Sequence, residues 1–448
     1  MAPKLRISLT AGLLAVVLSA IGAVHAADLT QAADEAPATQ PSCATTDLQW
    51  GDDETAALFG ATVAVNGQTA LVGIPGFSTA FVTPPVDPPY IQGRVAVFTC
   101  EATTQTWTRT ASIQLPATEA NQQIDFGVST ALQGHLAAIG ARYGVYVYKR
   151  QGSHWNPVVE ILPKNPDVGI IGTPAEQWGS VIAFKNDVLA VAVTEIDSTP
   201  GPDGIGYVTS YHFHVDLYQI VTHGDGGAAI RIARLNAPAG DTGIFGASLA
   251  FNGDTLVVGD PPNTTAYLYK RHGLTFSLDQ TLTAAEATPN SAFGLAAAIS
   301  KDVILIGAPD EDPIFDWFGI ASEGAVYAFR HESGPGSPWV ETQHFNAAAM
   351  SGPYAGFGAS LAVNRHGQAV IGTPSPYDDR GTEYGPTFLY TLQGSQFVLS
   401  TATRQLPYPA TSLGITDEYL IRGFVANTNG GDVFSGASII NLNDLPAN

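Results

Sequence analysis

Three groups of residues have types and spacings that chemistry uses. The first is acidic and aromatic: Asp310-Glu311-Asp312-Pro313-Ile314-Phe315-Asp316-Trp317 with Glu323 close behind, and Tyr377-Asp378-Asp379 followed by Glu383. Phe81 and Tyr90 stand in a Pro-rich stretch of similar character, 75–93. Carboxylates beside aromatic rings suit protein surfaces, cationic groups or sugars and disfavour polyanions. Solvated turns that keep an acidic chain in solution are the plainer reading of any one stretch. Glycosidase chemistry needs two carboxyls about 5–9.5 Å apart, so Asp310, Asp312 and Asp378 with Trp317 are the set that a carbohydrate-active enzyme or a lectin would use. Asp310, Asp312 and Asp316 carry the oxygens calcium takes, but Pro313 interrupts them and no glycine sits at the needed turn. The second group is His212-x-His214 with Asp216. Alternate residues share a strand face, so the three could ligate a metal; an exposed strand beside a loop is the plainer reading. The third is Cys43 and Cys100, the only cysteines, which are either a disulfide or two buried thiols. A disulfide would close a 57-residue separation and add about 3–4 kcal/mol. Gly-x-Ser-x-Gly, His-Glu-x-x-His and phosphate-loop motifs are all absent, and no catalytic residue is assigned. Asn263-Thr264-Thr265 fits a glycosylation sequon, which matters only in a eukaryotic secretory pathway.

The elements that position these groups follow from composition and repetition. A chain of 448 residues exceeds the roughly 250–300 residues at which one core stops growing. Hydrophobic residues at 45% allow a large core, while charged residues at 13% are too few for long surface helices. A formal net charge of −21 leaves no electrostatic footprint for nucleic acid or anionic lipid. Lys4 and Arg6, the apolar run 7–23 and Val24-His25-Ala26 read as a signal peptide over 1–26. Residues 27–44 read as a flexible leader, and no later stretch reaches the roughly 18 apolar residues of a membrane span. The mature chain is therefore expected to be exported, whether periplasmic, cell-surface or extracellular, without membrane insertion.

Over 45–443 one unit recurs, starting near 59, 126, 178, 245, 293, 357 and 409. Phe59-Gly60-Ala61-Thr62, Phe126-Gly127-Val128-Ser129, Trp178-Gly179-Ser180-Val181, Phe245-Gly246-Ala247-Ser248, Phe293-Gly294-Leu295-Ala296 and Phe357-Gly358-Ala359-Ser360 open six copies. The seventh has Pro409-Ala410 at that place. Each opening leads through a tight Asn/Asp/Gly turn to an apolar strand such as Ile304-Leu305-Ile306-Gly307-Ala308-Pro309. A variable connection follows, long in units one, three, five and six. The third strand is aromatic and β-branched, and the fourth often starts at Trp or another aromatic. Four antiparallel strands per unit and no helical crossover predict an all-β, seven-bladed β-propeller of four-stranded antiparallel blades. The last unit supplies only three strands. Residues 45–50 are expected to pair with it and close the ring, which places Cys43 beside Cys100 and favours the disulfide.

These motifs resemble FG-GAP repeats, which build the seven-bladed propeller at the N-terminal end of integrin α subunits and occur in many bacterial exported proteins. The resemblance covers roughly 45–443. It implies an exported, non-catalytic recognition, adhesion or envelope-scaffold module that binds a protein or glycan through its loop-rich face. A carbohydrate-active enzyme or sugar binder is the alternative, and a purely structural envelope protein the third reading. Integrin blades often carry a calcium loop between the first two strands. Here that turn is two to four residues and cannot supply six to eight oxygens, so those sites do not carry over and no cofactor is assigned. The oligomeric state is left open.

Overall fold

The computed structural model describes residues 42–49, 58–75, 77–78, 90–91, 93–115, 125–163, 176–200, 207–238, 240, 243–311, 313–316, 319–334, 336–346, 354–373, 375–376, 386–400, 410–427 and 433–445. The expected signal peptide lies outside them. Seven four-stranded antiparallel sheets are present. Blade 1 runs Thr62–Asn66, Thr69–Ile74, Arg94–Glu101, Thr106–Gln114, and blade 2 runs Ser129–Gln133, Leu136–Ala141, Gly144–Gln151, His154–Ile161. Blade 3 is longer: Glu176–Lys185, Val188–Pro200, Tyr207–His223, Gly226–Asn236. Blade 4 is Leu249–Asn252, Thr255–Asp260, Thr265–His272, Thr275–Leu282; blade 5 is Ala296–Ser300, Val303–Ala308, Ala325–His331, Trp339–Asn346; blade 6 is Ser360–Val363, Gln368–Gly372, Phe388–Gln393, Gln396–Leu399. Blade 7 contributes Ser412–Ile415, Tyr419–Asn427 and Val433–Asn441, and its fourth strand is Thr46–Leu48 from the start of the chain. The expected architecture and closure are thus both present. No helix among the described residues is long and apolar enough to cross a membrane.

Local sequence explains each blade. Second strands such as Leu136–Ala141 and Val303–Ala308 are buried along their whole length, which suits continuous apolar runs sandwiched between neighbouring sheets. The outer strand Thr106–Gln114 alternates more and faces water on one side. Gly67, Gly134 and Gly253 adopt positive φ in the turns between first and second strands, as two-residue hairpins require.

Blades are joined by a clamp at the Phe-Gly turn. A side chain at Gly140, Gly259, Gly307 or Gly423, near the end of a second strand, would overlap the carbonyl oxygen of Gly179, Gly294, Gly358 or Gly60 in the next blade. A hydroxyl beside it often reaches the same carbonyl. Thr62 Oγ1 donates to Gly127 O at 3.1 Å, Ser248 Oγ to Gly294 O at 2.8 Å, Ser360 Oγ to Ala410 O at 2.7 Å and Ser412 Oγ to Gly60 O at 3.2 Å. Ser129 Oγ donates likewise to Gly179 O. The Phe ring lies against third-strand aromatics, as Phe126 does on Tyr146 and Phe293 on Tyr327, with centroids 5.7 and 5.4 Å apart.

Closure is covalent as well. Cys43 and Cys100 form a disulfide with Cα atoms 5.8 Å apart. Cys43 N donates to Tyr419 Oη at 2.7 Å, and Asn441 Nδ2 donates to Cys43 O at 2.8 Å. Trp107 meets the Tyr419 ring edge-on at 5.1 Å. The end of the expected leader is therefore tied to blades 1 and 7.

Two outcomes follow. Gly259→Ala forces a methyl into the Gly294 carbonyl and is expected to cost about 3 kcal/mol, read by denaturant unfolding. Ala192→Gly, at the equivalent position of blade 3, is expected to cost under about 1 kcal/mol; equal costs would refute the clamp. Replacing Cys43 and Cys100 by Ser is expected to remove about 3–4 kcal/mol, the same loss that reductant produces in the native chain.

Candidate functional site

Second strands all run the same way in a propeller, so every connection from second to third strand leaves on one face. Two of these connections bring together buried carboxylates and histidines among the described residues.

In blade 5 the connection begins at Asp310 and Glu311 and returns at Glu323. Between them Pro313–Asp316 pairs with Gly319–Ser322 as a short hairpin, and Gly324 N donates to Glu311 O at 3.1 Å across its root. Asp310 is exposed and Glu323 half-buried. Glu311 points inward and is 2% exposed. Tyr327 Oη donates to its carboxylate at 2.6 and 2.8 Å. His344 stacks on the Tyr327 ring at 4.6 Å. Its Nδ1 lies 2.7 Å from Glu286 Oε2, and its Nε2 lies 3.3 Å from Glu311 Oε1, in ion-pair range but off the line of a hydrogen bond. Contact with Glu311, then the charge of Glu286, raises the His344 pKa above its ordinary value against the opposing effect of burial. Burial and Glu311 also raise the Tyr327 pKa, keeping the phenol protonated as the donor.

In blade 3 the second and third strands outrun the sheet. A long loop is expected there, but the register continues without a break from Val188↔Gln219 to Pro200↔Tyr207, forming a ribbon on this face. His212, His214 and Asp216 do share one strand face, yet the exposed strand is corrected: His214 is 3% and Asp216 0% exposed. Third-to-fourth strand pairing shifts register at Val147/Tyr148, Leu217/Tyr218, Leu268/Tyr269 and Ala328/Phe329. Aligned on that shift, Asp216 stands where Tyr146, Tyr267 and Tyr327 stand in blades 2, 4 and 5. The carboxylate replaces a ring and is matched by cations. Arg234 donates through Nε at 2.8 Å and NH2 at 3.0 Å, and Arg231 through NH1 at 3.2 Å. Arg234 NH1 also reaches Glu195 Oε1 at 2.8 Å, so one guanidinium ties the second, third and fourth strands at the ribbon base. His214 Nε2 is buried without a hydrogen-bond partner, 3.8 Å from Glu195 and 3.9 Å from Asp216. Burial first, then Arg234, lowers its pKa, so it is neutral near pH 7.

Of the residues singled out in the sequence, Asp310, Glu311 and Glu323 come together at the blade 5 root. Tyr90 lies on a two-residue strand, Tyr90–Ile91, paired with Phe77–Ser78, and Asp316 on the blade 5 hairpin. Phe81, Asp312, Trp317, Tyr377, Asp378, Asp379 and Glu383 lie outside the described residues. Among the described residues no group of three His, Cys, Asp or Glu side chains is placed to hold a metal ion. Glu195, Arg234, Glu286 and His344 were not singled out from the sequence. Aligning blade 3 on the third-strand aromatics is the signal that marks Asp216 as out of place.

The pKa values of His344 and His214 are shifted in opposite directions. A raised folded pKa stabilises below the unfolded value, 6.5, and that stability is lost as pH rises through the folded pKa. His344→Gln is therefore expected to destabilise more at about pH 5.5 than at about pH 8.5 in paired unfolding curves. Asp216→Ala removes the buried carboxylate on which two solvent-accessible guanidinium groups converge and is expected to cost about 1.5–3 kcal/mol, the range for hydrogen bonds to a charged group; a cost below about 1 kcal/mol, the surface-pair range, would show that the network does not hold the ribbon.

Residues 276–329, from the fourth strand of blade 4 through the third of blade 5, match the family model described as FG-GAP repeat. No curated protein sequence matches the chain. Similar solved structures include the β-propeller domain of Cps50 (Swd1) from Myceliophteria thermophila, 10% identical, TM-score 0.49, covering 89% of this chain and 99% of that one. A chain of the mitotic checkpoint complex is 9% identical, TM-score 0.48, covering 97% and 98%. A provisionally assigned 6-phosphogluconolactonase from Bacteroides uniformis is 9% identical, TM-score 0.46, covering 78% and 86%. Identities this low transfer no activity. One matched FG-GAP repeat thus lies within a β-propeller of seven four-stranded antiparallel blades, an arrangement that suggests a protein-binding module.

Proposed function

We propose that the protein is an exported, non-catalytic recognition module that binds another protein through the face carrying the second-to-third strand connections. The observation that carries this is the blade 3 ribbon. A propeller needs no strand beyond its blade, yet here two outrun it and a charge network centred on buried Asp216 fixes their base. Rigid presentation lowers the ordering cost of binding. The blade 5 root, with exposed Asp310 and Glu286 around an anchored Glu311, is a second acidic contact on that face. Export is supported by the basic-then-apolar N-terminal sequence and is compatible with the disulfide. Adhesion and envelope scaffolding are the two uses of such a module that fit this placement.

The test is affinity capture of envelope and culture-fluid components by the chain from Ala27, against a variant in which 197–210 is replaced by a two-residue turn. Both must melt alike. A partner held by the native chain and lost by the variant is expected. The same partner held equally by both, or turnover on a glycoside panel abolished by Asp310→Asn, would overturn the reading.

A further inference from the structure

Blade 3 ends in an unequal pair of strand edges. Its fourth strand stops at Asn236, opposite His214, while the third strand extends outward to Tyr207. Among the described residues no strand lies beside Tyr207–Tyr211 on that side, because the sheet order ends with Gly226–Asn236. On the ribbon's other side, Glu176–Trp178 covers the second strand only as far as Glu195.

Exposed edges invite pairing, and proteins guard them with charge and proline. The second-strand extension is guarded: it bears Glu195 and Asp197, the latter 71% exposed at its side chain, and ends at Pro200. The third-strand extension, Tyr207-Val208-Thr209-Ser210-Tyr211, has neither charge nor proline. It is rich in β-branched and aromatic residues, Ser210 is exposed, and Tyr211 is 52% exposed. A row of backbone N–H and C=O groups is complemented by another extended chain.

We propose that Tyr207–Tyr211 is a docking edge to which an extended, basic segment of a partner protein adds as a strand of blade 3. This deepens the recognition reading above and rests on it. Basic character follows from charge complementarity: Glu195 and Asp197 lie across the ribbon, and the chain carries −21 overall. A second copy would bring the same charge and the same carboxylates against it, so self-pairing is the disfavoured occupant. The Arg234 bridge holds the edge in place beforehand, so docking does not have to order it.

The experiment uses the chain from Ala27 and three labelled twelve-residue peptides: alternating Lys with Val or Thr, the same with Glu for Lys, and the Lys peptide with two central prolines. Fluorescence anisotropy is expected to show the Lys peptide binding about tenfold tighter than either control. Thr209→Pro, which removes an N–H of the open edge (Ile220 N donates to Asp187 O, so along this unbroken register the odd-numbered residues face away from the second strand), is expected to weaken it about tenfold, and Ser210→Lys, which guards the edge by charge, to do the same if Pro disturbs the ribbon. Equal binding of the proline peptide, or unchanged binding to Ser210→Lys, would overturn strand addition. Concentration-dependent dimerisation in sedimentation, abolished by Ser210→Lys, would replace the partner segment with a second copy. A partner lost on ribbon shortening but retained by both Thr209→Pro and Ser210→Lys would overturn this edge and leave the broader recognition reading standing.

Discussion

The ring depends on the glycine near the end of the second strand in six of its seven blades. The next blade's carbonyl oxygen occupies the volume where a side chain would stand, and in most blades a Ser or Thr hydroxyl fixes it there. Neither half can change alone: a methyl at the glycine displaces the carbonyl, and a displaced carbonyl leaves the hydroxyl unpaired in a buried joint. The joint continues from blade 7 into blade 1 through Gly423, Ser412 and Gly60. Inner closure thus uses the same contact as every clamped interior interface. Thr46–Leu48 has a different task. It completes the outer edge of blade 7, which Cys43, Tyr419 and Asn441 then secure.

Blade 3 departs from this scheme at linked positions. Val181 has no hydroxyl for the carbonyl of the next blade, and Ala192 stands where other second strands have glycine. Glu176–Trp178 pairs as strand with the ribbon base instead of closing a tight Phe-Gly turn, and Asp216 takes a ring's place. A desolvated carboxylate is costly unless its hydrogen bonds are filled. Arg231 and Arg234 fill them, and both come from the blade's own fourth strand. The blade has exchanged grip on its neighbour for internal cross-bracing, which a projecting ribbon requires. Local rules broken together, with compensation supplied, are expected where a fold serves a function.

The fold was legible in the sequence because the repeat states it many times. Six Phe- or Trp-Gly openings, apolar second strands and a last unit short by one strand require a closed ring and name the strand that closes it. The polar sites were less legible, for a geometric reason. Asp310 and Glu311 are adjacent in a connection without periodicity. One faces water and the other is buried against Tyr327, and nothing in the spacing separates them. His212-x-His214-x-Asp216 gave the shared face correctly. Whether that face meets solvent or blade 2 depends on how far the ribbon base is overlaid by neighbours. Arg234 is 18 positions from Asp216 and meets it only through a hairpin register that includes a bulge.

Two histidines, buried His214 and half-buried His344, show how the surroundings set the chemistry of one motif. Each lies near two carboxylates: His344 by Glu311 and Glu286, His214 by Glu195 and Asp216. Their pKa values move in opposite directions. The difference is the guanidinium groups. Arg234 and Arg231 already compensate Asp216, and Arg234 also compensates Glu195, so His214 feels burial and two nearby cations. The groups acting on His344 are carboxylates, so attraction outweighs burial. The ribbon base therefore has its charges matched internally, while the carboxylates of the blade 5 root favour the protonated form of His344. A face built this way pairs one contact whose charges are matched within the blade with one whose histidine is drawn to its proton by unmatched carboxylates, and the matched one braces the ribbon.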